Sequence, residues 1–135
     1  DKQYEIEFWQ DADGYSESQD YIWELKQKAI KSKDARIKLK KITEYMEILE
    51  TYGTAIGYPY IDHIECEENL FELRPLRDRF FFFYKKENKY IILNHFMKDT
   101  KKTPKREIEK ANKLKQDYPG EEITEKMVVI WTAHM

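Results

Sequence analysis

The block Phe80–Tyr84, four consecutive phenylalanines followed by a tyrosine, constrains the fold more than any other feature of this chain. It has the length of a strand and falls far short of the roughly 20 apolar residues that a membrane span requires. An uninterrupted apolar strand is typical of a central strand that is buried on both faces of a sheet. The alternative is that Phe80–Phe83 form a stacking platform for nucleic-acid bases.

Length and composition indicate one domain with a real core. The chain has 135 residues, of which 41% are hydrophobic and 37% charged, and this balance argues against intrinsic disorder. The single cysteine, Cys66, cannot form an intrachain disulfide, which favours a reducing compartment. The first residues, Asp1–Tyr4, lack the character of a signal peptide. We therefore expect a cytoplasmic protein with no membrane span.

The N-terminal part predicts one strand followed by two helices. Tyr4–Trp9 alternates apolar and acidic residues, which is the pattern of a half-buried strand. Ser16, with Gln19 three residues later, fits a capping box that opens a helix. After a polar break at Ser32–Asp34, an apolar stripe of helical spacing predicts a second helix that Gly53 ends. These elements form a helical hairpin.

The middle of the chain predicts a meander of strands and a further helix. The strands expected from apolar segments are roughly Ile61–Cys66, Leu70–Arg74, Arg79–Lys85 and Lys89–Met97. The short gaps between them are typical of antiparallel hairpins. Thr103 as N-cap and Pro104 at the first helical position predict a helix, which Pro119-Gly120 ends. The order of elements is that of a small α+β domain.

The charge is distributed unevenly although the net charge is only −2. Residues 1–73 carry 9 basic and 17 acidic residues, whereas residues 74–115 carry 14 basic and 5 acidic ones. A basic segment within a nearly neutral protein is typical of a surface that binds a polyanion. The alternative is a pair of solvated helix faces that bind nothing.

Motifs for metals and cofactors are missing from the sequence. The segment Asp11-x-Asp13-Gly14 lacks the later ligands of a calcium loop and is expected to be a turn. The three histidines and Cys66 do not have the spacing of a zinc site. No Gly-rich phosphate loop or dinucleotide motif is present. We expect neither a metal nor a cofactor.

A set of residues at predicted strand ends has the chemistry that metal-free RNA cleavage requires. Such cleavage removes the 2′-OH proton, neutralises the phosphate and protonates the leaving 5′ oxygen. The cations are Arg74, Arg77, Arg79, Lys98, Lys101 and Lys102, with His95 and Tyr84 nearby as proton-transfer candidates. The alternative is that these side chains simply frame a sheet edge.

Two expectations about this set depend on strand geometry. Arg74 and Arg79 lie at strand ends, so replacing either with alanine is expected to leave the fold intact. Strand alternation places His95 and Lys98 on opposite faces, unless a bulge near Phe96 brings them to one surface. If no such bulge exists, only one of the two belongs to the site.

Several motifs together resemble the HigB branch of the RelE/ParE toxin superfamily, the phage-derived, host-inhibition type. The resemblance extends from about Tyr4 to Tyr118 and lies in Phe8–Gly14, Gly53-Thr54, Gly57-x-Pro59, His63, Phe71–Pro75, Arg79-Phe80 and Phe96–Ala111. It implies a helical hairpin packed on a curved antiparallel sheet with a C-terminal helix. The expected domain is 1–118, and the role of 119–135 is not assigned.

The resemblance implies the toxin of a type II toxin–antitoxin system. Members of this family are typically metal-independent, ribosome-dependent mRNA endoribonucleases, neutralised by a HigA-like antitoxin with a helix-turn-helix. The antitoxin is expected to cover the basic surface or the helical hairpin. Two alternatives remain, a ParE-like gyrase inhibitor and a catalytically silent partner-binding relative.

The resemblance also implies roles for individual residues. Arg74 and Arg79 would hold the scissile phosphate, and Lys98 would stabilise charge or transfer a proton. His95, and less directly Tyr84, would act as acid or base. The residues that would hold the RNA backbone are Lys101, Lys102, Lys105 and Arg106. Asp99 departs from the family pattern, in which a second lysine often follows the position of Lys98.

Overall fold

The computed structural model describes residues 1–118 and 129–131, which form one mixed sheet with helices on both faces. The elements are β1 (Glu5–Phe8), α1 (Glu17–Lys28), α2 (Lys33–Tyr52), a short 3₁₀ turn (Gly53–Ile56), β2 (Ile61–His63), β3 (Phe71–Leu73), β4 (Asp78–Lys85), β5 (Lys89–Met97), α3 (Lys105–Gln116) and β6 (Val129–Ile130). The predicted α+β class and the order of its elements are confirmed.

The sheet has the strand order β2-β3-β4-β5-β1-β6. The segment from β2 to β5 is the antiparallel meander that the short gaps predict. β1, however, pairs with β5 in parallel, with Ile6 opposite Tyr90. The alternation that predicts a strand says nothing about its direction, and a strand joined through a helical hairpin is free to pair in parallel.

Side-chain caps begin the two helices of the hairpin, and the cap at Ser16 is the one that the sequence predicts. The Ser16 hydroxyl accepts a hydrogen bond from the Gln19 amide, and the Ser32 hydroxyl accepts one from the Ala35 amide. The cap predicted for α3 is wrong by one residue. Pro104 occupies the N-cap position without a side-chain hydrogen bond, because the helix begins only at Lys105.

The central strand β4 separates two apolar clusters. Phe80 and Phe82 face α1 and α2, whereas Phe81 and Phe83 face α3, and all four are at most 7% exposed. Alternate residues of a strand point to opposite faces, so a continuous apolar run is required only where both faces are covered. The prediction of a central buried strand is confirmed, and the alternative of an exposed stacking platform at Phe80–Phe83 is wrong.

Part of the segment whose role the sequence leaves open belongs to the sheet. Val129–Ile130 form β6, which pairs antiparallel with β1. Trp131 follows, is 4% exposed and lies with its ring 6.3 Å from that of Phe8. Its amide donates to the Ile6 carbonyl, which extends the pairing with β1 by one residue. Among the helices formed by residues 1–118, none is both long and apolar enough to cross a bilayer.

Candidate functional site

Two arginines from neighbouring strands meet at one buried carboxylate. Glu72 lies in β3 opposite Phe81 of β4, and it is 1% exposed. One of its oxygens, Oε2, is 2.6 Å from Arg74 Nη1 and 4.0 Å from Arg79 Nε. Strand alternation places Glu72 on the face of Phe81, which is the face covered by α3. The predicted proximity of Arg74 and Arg79 is therefore present, on the α3 face of the sheet.

Arg79 is held by backbone carbonyls of the β3–β4 turn. Its Nη1 donates to the carbonyls of Leu76, at 2.7 Å, and Asp78, at 2.9 Å. The residue is 7% exposed, and Leu76 has a positive φ of 56°, so the side chain fastens a turn with a constrained backbone. Alanine at this position would leave these carbonyls without their donor, so, contrary to the expectation from the sequence, we expect Arg79→Ala to destabilise the turn.

Burial and neighbouring charges shift the pKa of the Arg79 guanidinium. Burial lowers the pKa of its guanidinium, and the positive charge of Arg74 lowers that pKa further, while Glu72 opposes both effects. An arginine remains charged even after a substantial decrease of its pKa. Arg79 therefore supplies a fixed positive charge behind Arg74.

Arg74 is the more accessible of the two arginines. Its side chain is 15% exposed, and besides Glu72 it faces Asp62, whose half-exposed carboxylate lies 3.9 Å from Arg74 Nη1. The guanidinium carbon lies 4.9 Å from the ring centre of Tyr58, a cation–π distance. Arg74 thus reaches the rim of the site, where a ligand would meet it first.

The basic loop that precedes α3 lies beside this cluster. The Thr103 hydroxyl is 3.5 Å from Glu72 Oε1, and the Lys98 amide donates to the Arg77 carbonyl at 2.8 Å. Arg77 Nε in turn donates to the Lys98 carbonyl at 3.1 Å. The cations exposed on this loop and on the first turn of α3 are Lys101, Lys102, Lys105 and Arg106. We call Arg74, Arg79, Glu72, Asp62 and Tyr58 the arginine site, and residues 98–106 the basic loop.

His95 lies on the opposite face of the sheet from the arginine site. Its ring stacks on Tyr21 of α1, with the centroids 3.6 Å apart, and its Nε2 is 2.8 Å from Asp78 Oδ1. The Tyr21 hydroxyl donates to the same carboxylate oxygen at 2.6 Å. Burial, and secondly this hydrogen bond, raise the pKa of Tyr21, so its hydroxyl stays protonated. The structure does not bring His95 to the two arginines.

A β-bulge explains this placement. The register between β4 and β5 shifts between Phe80 and Phe82, so that Leu93 and Asn94 both lie opposite Phe81. Asn94 donates to the Glu107 carbonyl of α3, and His95 then faces the hairpin. The bulge precedes His95 and leaves the alternation from His95 to Lys98 unchanged. Of His95 and Lys98, it is therefore Lys98 that lies on the face of the arginine site.

Tyr84 lies at the far end of β4 from Arg79. Five residues of a strand span roughly 17 Å. The Tyr84 hydroxyl accepts a hydrogen bond from the Asn88 amide in the β4–β5 turn, and its ring is 5.3 Å from that of Tyr90. The structure therefore does not bring Tyr84 to the arginine site either.

Three members of the arginine site, Glu72, Asp62 and Tyr58, are not among the site residues predicted from the sequence. Glu72 and Arg74 are two residues apart in a predicted strand, a spacing that places both on one face and could have indicated their ion pair. Asp62 pairs with Glu72 across β2 and β3, which becomes visible only once the register is known. Tyr58 lies in an irregular loop, for which the sequence carries no such signal.

The arrangement can bind an anion and stabilise negative charge. Arg74 offers an accessible guanidinium, which matches the geometry of a phosphate, the buried Arg79 adds positive charge, and the carboxylates of Glu72 and Asp62 offset that charge. Within residues 1–118 and 129–131, no three or more His, Cys, Asp or Glu residues are placed to hold a metal ion.

Comparison with known proteins places the chain in a family. No curated protein matches the sequence. The family model described as phage derived protein Gp49-like (DUF891) matches residues 28–116, well over half of the chain. The matched segment includes the arginine site, the bulge and the basic loop. The chain therefore belongs to the Gp49-like family of phage-derived proteins.

Proposed function

We propose that this protein is the toxin of a type II toxin–antitoxin system and acts as a ribosome-dependent mRNA endoribonuclease of the HigB type. The observation that carries the proposal is the meeting of Arg74 and Arg79 on one sheet face, beside the basic loop. A phage-derived family and the resemblance of its motifs to HigB toxins support the same function. We place its action in the cytoplasm, where ribosomes and mRNA are present.

In the proposed mechanism, charge stabilisation is the main contribution of the arginine site. Cleavage of RNA by its own 2′-OH passes through a crowded phosphate with additional negative charge. Arg74 would contact this phosphate, and the buried Arg79 would add a fixed positive charge behind it. The ammonium of Lys98, on the same sheet face, would stabilise charge or donate the proton that the leaving 5′ oxygen takes up, while water accepts the proton of the attacking 2′-OH. His95 and Tyr84 have no place in this proposal, because neither lies near the arginine pair.

Controlled expression tests this function. Induced expression without an antitoxin is expected to arrest growth and to create new mRNA 5′ ends, and Arg74→Ala should relieve both effects. Arg36→Ala is the matched control, because Arg36 is an exposed arginine of α2 that bonds the Ala29 carbonyl. Growth arrest without new 5′ ends would contradict the nuclease and support gyrase inhibition instead.

The same proposal makes metal removal a second test. The arginine site contains cations and two carboxylates, and arginine needs no metal to neutralise a phosphate. Cleavage in a purified translation system should therefore survive a chelator that removes transition metals and leaves the magnesium of the ribosome in place. Loss of cleavage that only a transition metal restores would contradict the mechanism.

The proposed partner is a HigA-like antitoxin with a helix-turn-helix. The basic loop would attract an acidic segment of such a partner, and a partner bound there would exclude RNA directly. Binding across the helical hairpin would require another mode of inhibition, such as steric exclusion from the ribosome. Co-expression with the product of the neighbouring gene, followed by co-purification, tests for the partner.

A further inference from the structure

Tyr58 is an exposed aromatic side chain at the rim of the arginine site. It lies in the loop between the 3₁₀ turn and β2 and is 70% exposed. An exposed tyrosine is informative where it adjoins a candidate binding site, because it offers a rigid apolar ring with a polar tip. The three other exposed tyrosines lie in or beside the hairpin helices or in β4: Tyr15, Tyr52 and Tyr84.

The loop that carries Tyr58 is fixed to the end of β3. The amides of Tyr60 and Ile61 both donate to the Gly57 carbonyl at 3.1 Å, which closes a tight turn around Tyr58. The Arg74 amide donates to the Tyr60 carbonyl at 3.0 Å, which joins the turn to the strand end that carries Arg74. The aromatic ring is therefore held in register with the arginine site.

The guanidinium of Arg74 covers one part of the ring. Its central carbon lies 4.9 Å from the ring centre, and the same guanidinium bonds Glu72 on its other side. Arg74 is thus held between a buried carboxylate and an exposed ring. Because the ring is 70% exposed, most of its surface remains open to solvent next to the arginine that would hold a phosphate.

A nucleotide matches this combination of groups. Its phosphate requires a cation, and its base, one sugar away, presents an apolar π-face that stacks on aromatic side chains. We propose that the open surface of Tyr58 is a stacking platform for a nucleobase of single-stranded RNA whose phosphate binds Arg74. This inference rests on the proposed function of the arginine site and adds to it a recognition element for unpaired RNA.

The experiment measures binding of a short single-stranded RNA that carries a fluorescent adenine analogue, with the full chain and its variants. Stacking on the ring should quench the analogue in the wild type and in Tyr58→Phe. Tyr58→Leu should lose the quenching and weaken binding by about 5- to 100-fold. The salt dependence of binding should stay unchanged, because no charge has been removed.

Two control variants separate this inference from the function on which it rests. Tyr52→Leu replaces a tyrosine of similar exposure, 57%, at the end of α2 and should bind RNA like the wild type. Arg74→Ala should weaken binding and reduce the salt dependence. If Arg74→Ala has these effects but Tyr58→Leu quenches and binds like the wild type, the stacking platform is wrong and the proposed function stands.

Three further outcomes would contradict the stacking platform, and the first of them would also contradict the proposed function. If the wild type neither binds the RNA probe nor arrests growth, both the platform and the proposed function are wrong. If Tyr58→Leu keeps RNA binding but loses association with an antitoxin, the ring is a protein contact, and the platform is wrong. Equal weakening by Tyr58→Leu and Tyr52→Leu would also contradict it, because the effect would then not be specific to the site.

Discussion

Arg79 lies near the start of β4 and His95 near the end of β5, beside the arginine site. Each of the two side chains is nevertheless fixed by contacts of its own. Arg79 is bonded to two carbonyls of a turn, and His95 to a buried carboxylate. A side chain that stabilises the fold in this way is a poor target for testing catalysis, because its loss changes the structure as well. Arg74 also bonds a buried carboxylate, that of Glu72, but it reaches the rim of the site, so its replacement reports on function once the variant is shown to be folded.

Replacing His95 with alanine is expected to destabilise the protein. Asp78 is fully buried and accepts hydrogen bonds from Tyr21 and His95, so the variant leaves its carboxylate with one donor fewer. The free energy of unfolding should fall by about 2–4 kcal/mol, measured by urea denaturation. His63→Ala, at an exposed position of β2, is the control. A stable His95→Ala variant that no longer cleaves RNA would instead support the acid–base role expected from the sequence.

Replacing Glu50 with glutamine is expected to stabilise the protein at neutral pH. Burial raises the pKa of Glu50, although Lys2, at 3.3 Å, opposes this effect. The folded state therefore holds the proton more tightly, and stability decreases as the pH rises through the ordinary pKa of about 4.5 towards the raised value. Glutamine cannot ionise, so the variant should gain stability at neutral pH and little below pH 4 or so.

Denaturation curves at the two pH values test this prediction. Glu65→Gln, at an exposed position, should show no comparable gain at neutral pH. A Glu50→Gln variant that is less stable than the wild type at neutral pH would show that the ion pair with Lys2 outweighs the cost of burial.

At the scale of elements, hydrogen-bonded caps distinguish the hairpin helices from α3. Ser16→Ala and Ser32→Ala should each lower the free energy of unfolding by about 1 kcal/mol, because each removes an acceptor for a free helical amide. Thr103→Ala should cost less, since Thr103 is not the cap of α3. Thermal unfolding of the three variants measures the difference. An equal loss in all three would contradict the assignment of the caps.

The elements that could be predicted from the sequence are those set by local patterns. The strands, the serine cap of α1 and the end of α2 at Gly53 depend on residues that are close in the chain. The bulge at Leu93 and Asn94 and the parallel pairing of β1 depend on partners far away in the chain, which no local pattern encodes. The bulge decides which face His95 occupies, and for this reason the candidate site was predictable only in its arginines and its basic loop.

The basic loop gives the whole molecule a positive surface patch, although the acidic N-terminal part is joined to the basic segment by the ion pairs Glu7–Lys89 and Glu17–Lys110. Residues 1–24 carry one lysine and eight acidic residues, whereas the basic loop presents its cations to solvent. A field of this kind accelerates the encounter with an oppositely charged partner and makes the rate sensitive to salt. The proposed RNA and the proposed acidic antitoxin segment would then compete for one surface.

Reversing the charge of the basic loop is expected to weaken RNA binding without unfolding the protein. The side chains of Lys101 and Lys102 are both exposed. In the double variant Lys101→Glu/Lys102→Glu, the slope of log K against log[salt] should become smaller in magnitude by about 2, one for each lost cation. Lys31→Glu/Lys33→Glu makes the same change in net charge at exposed positions of the hairpin turn and is the matched control. Equal losses in both double variants would mean that net charge, rather than this loop, governs binding.

The position of β1 between β5 and β6 has a consequence for the protein while it is being made. At synthesis rates of roughly 5–20 residues per second, β1 waits several seconds for β5 and longer for β6. An unpaired strand is open to pairing with other chains, and charged side chains along it discourage such pairing. Glu5 and Glu7, which alternate with Ile6 and Phe8, would therefore discourage pairing of the nascent strand with other chains until β5 and β6 have been translated.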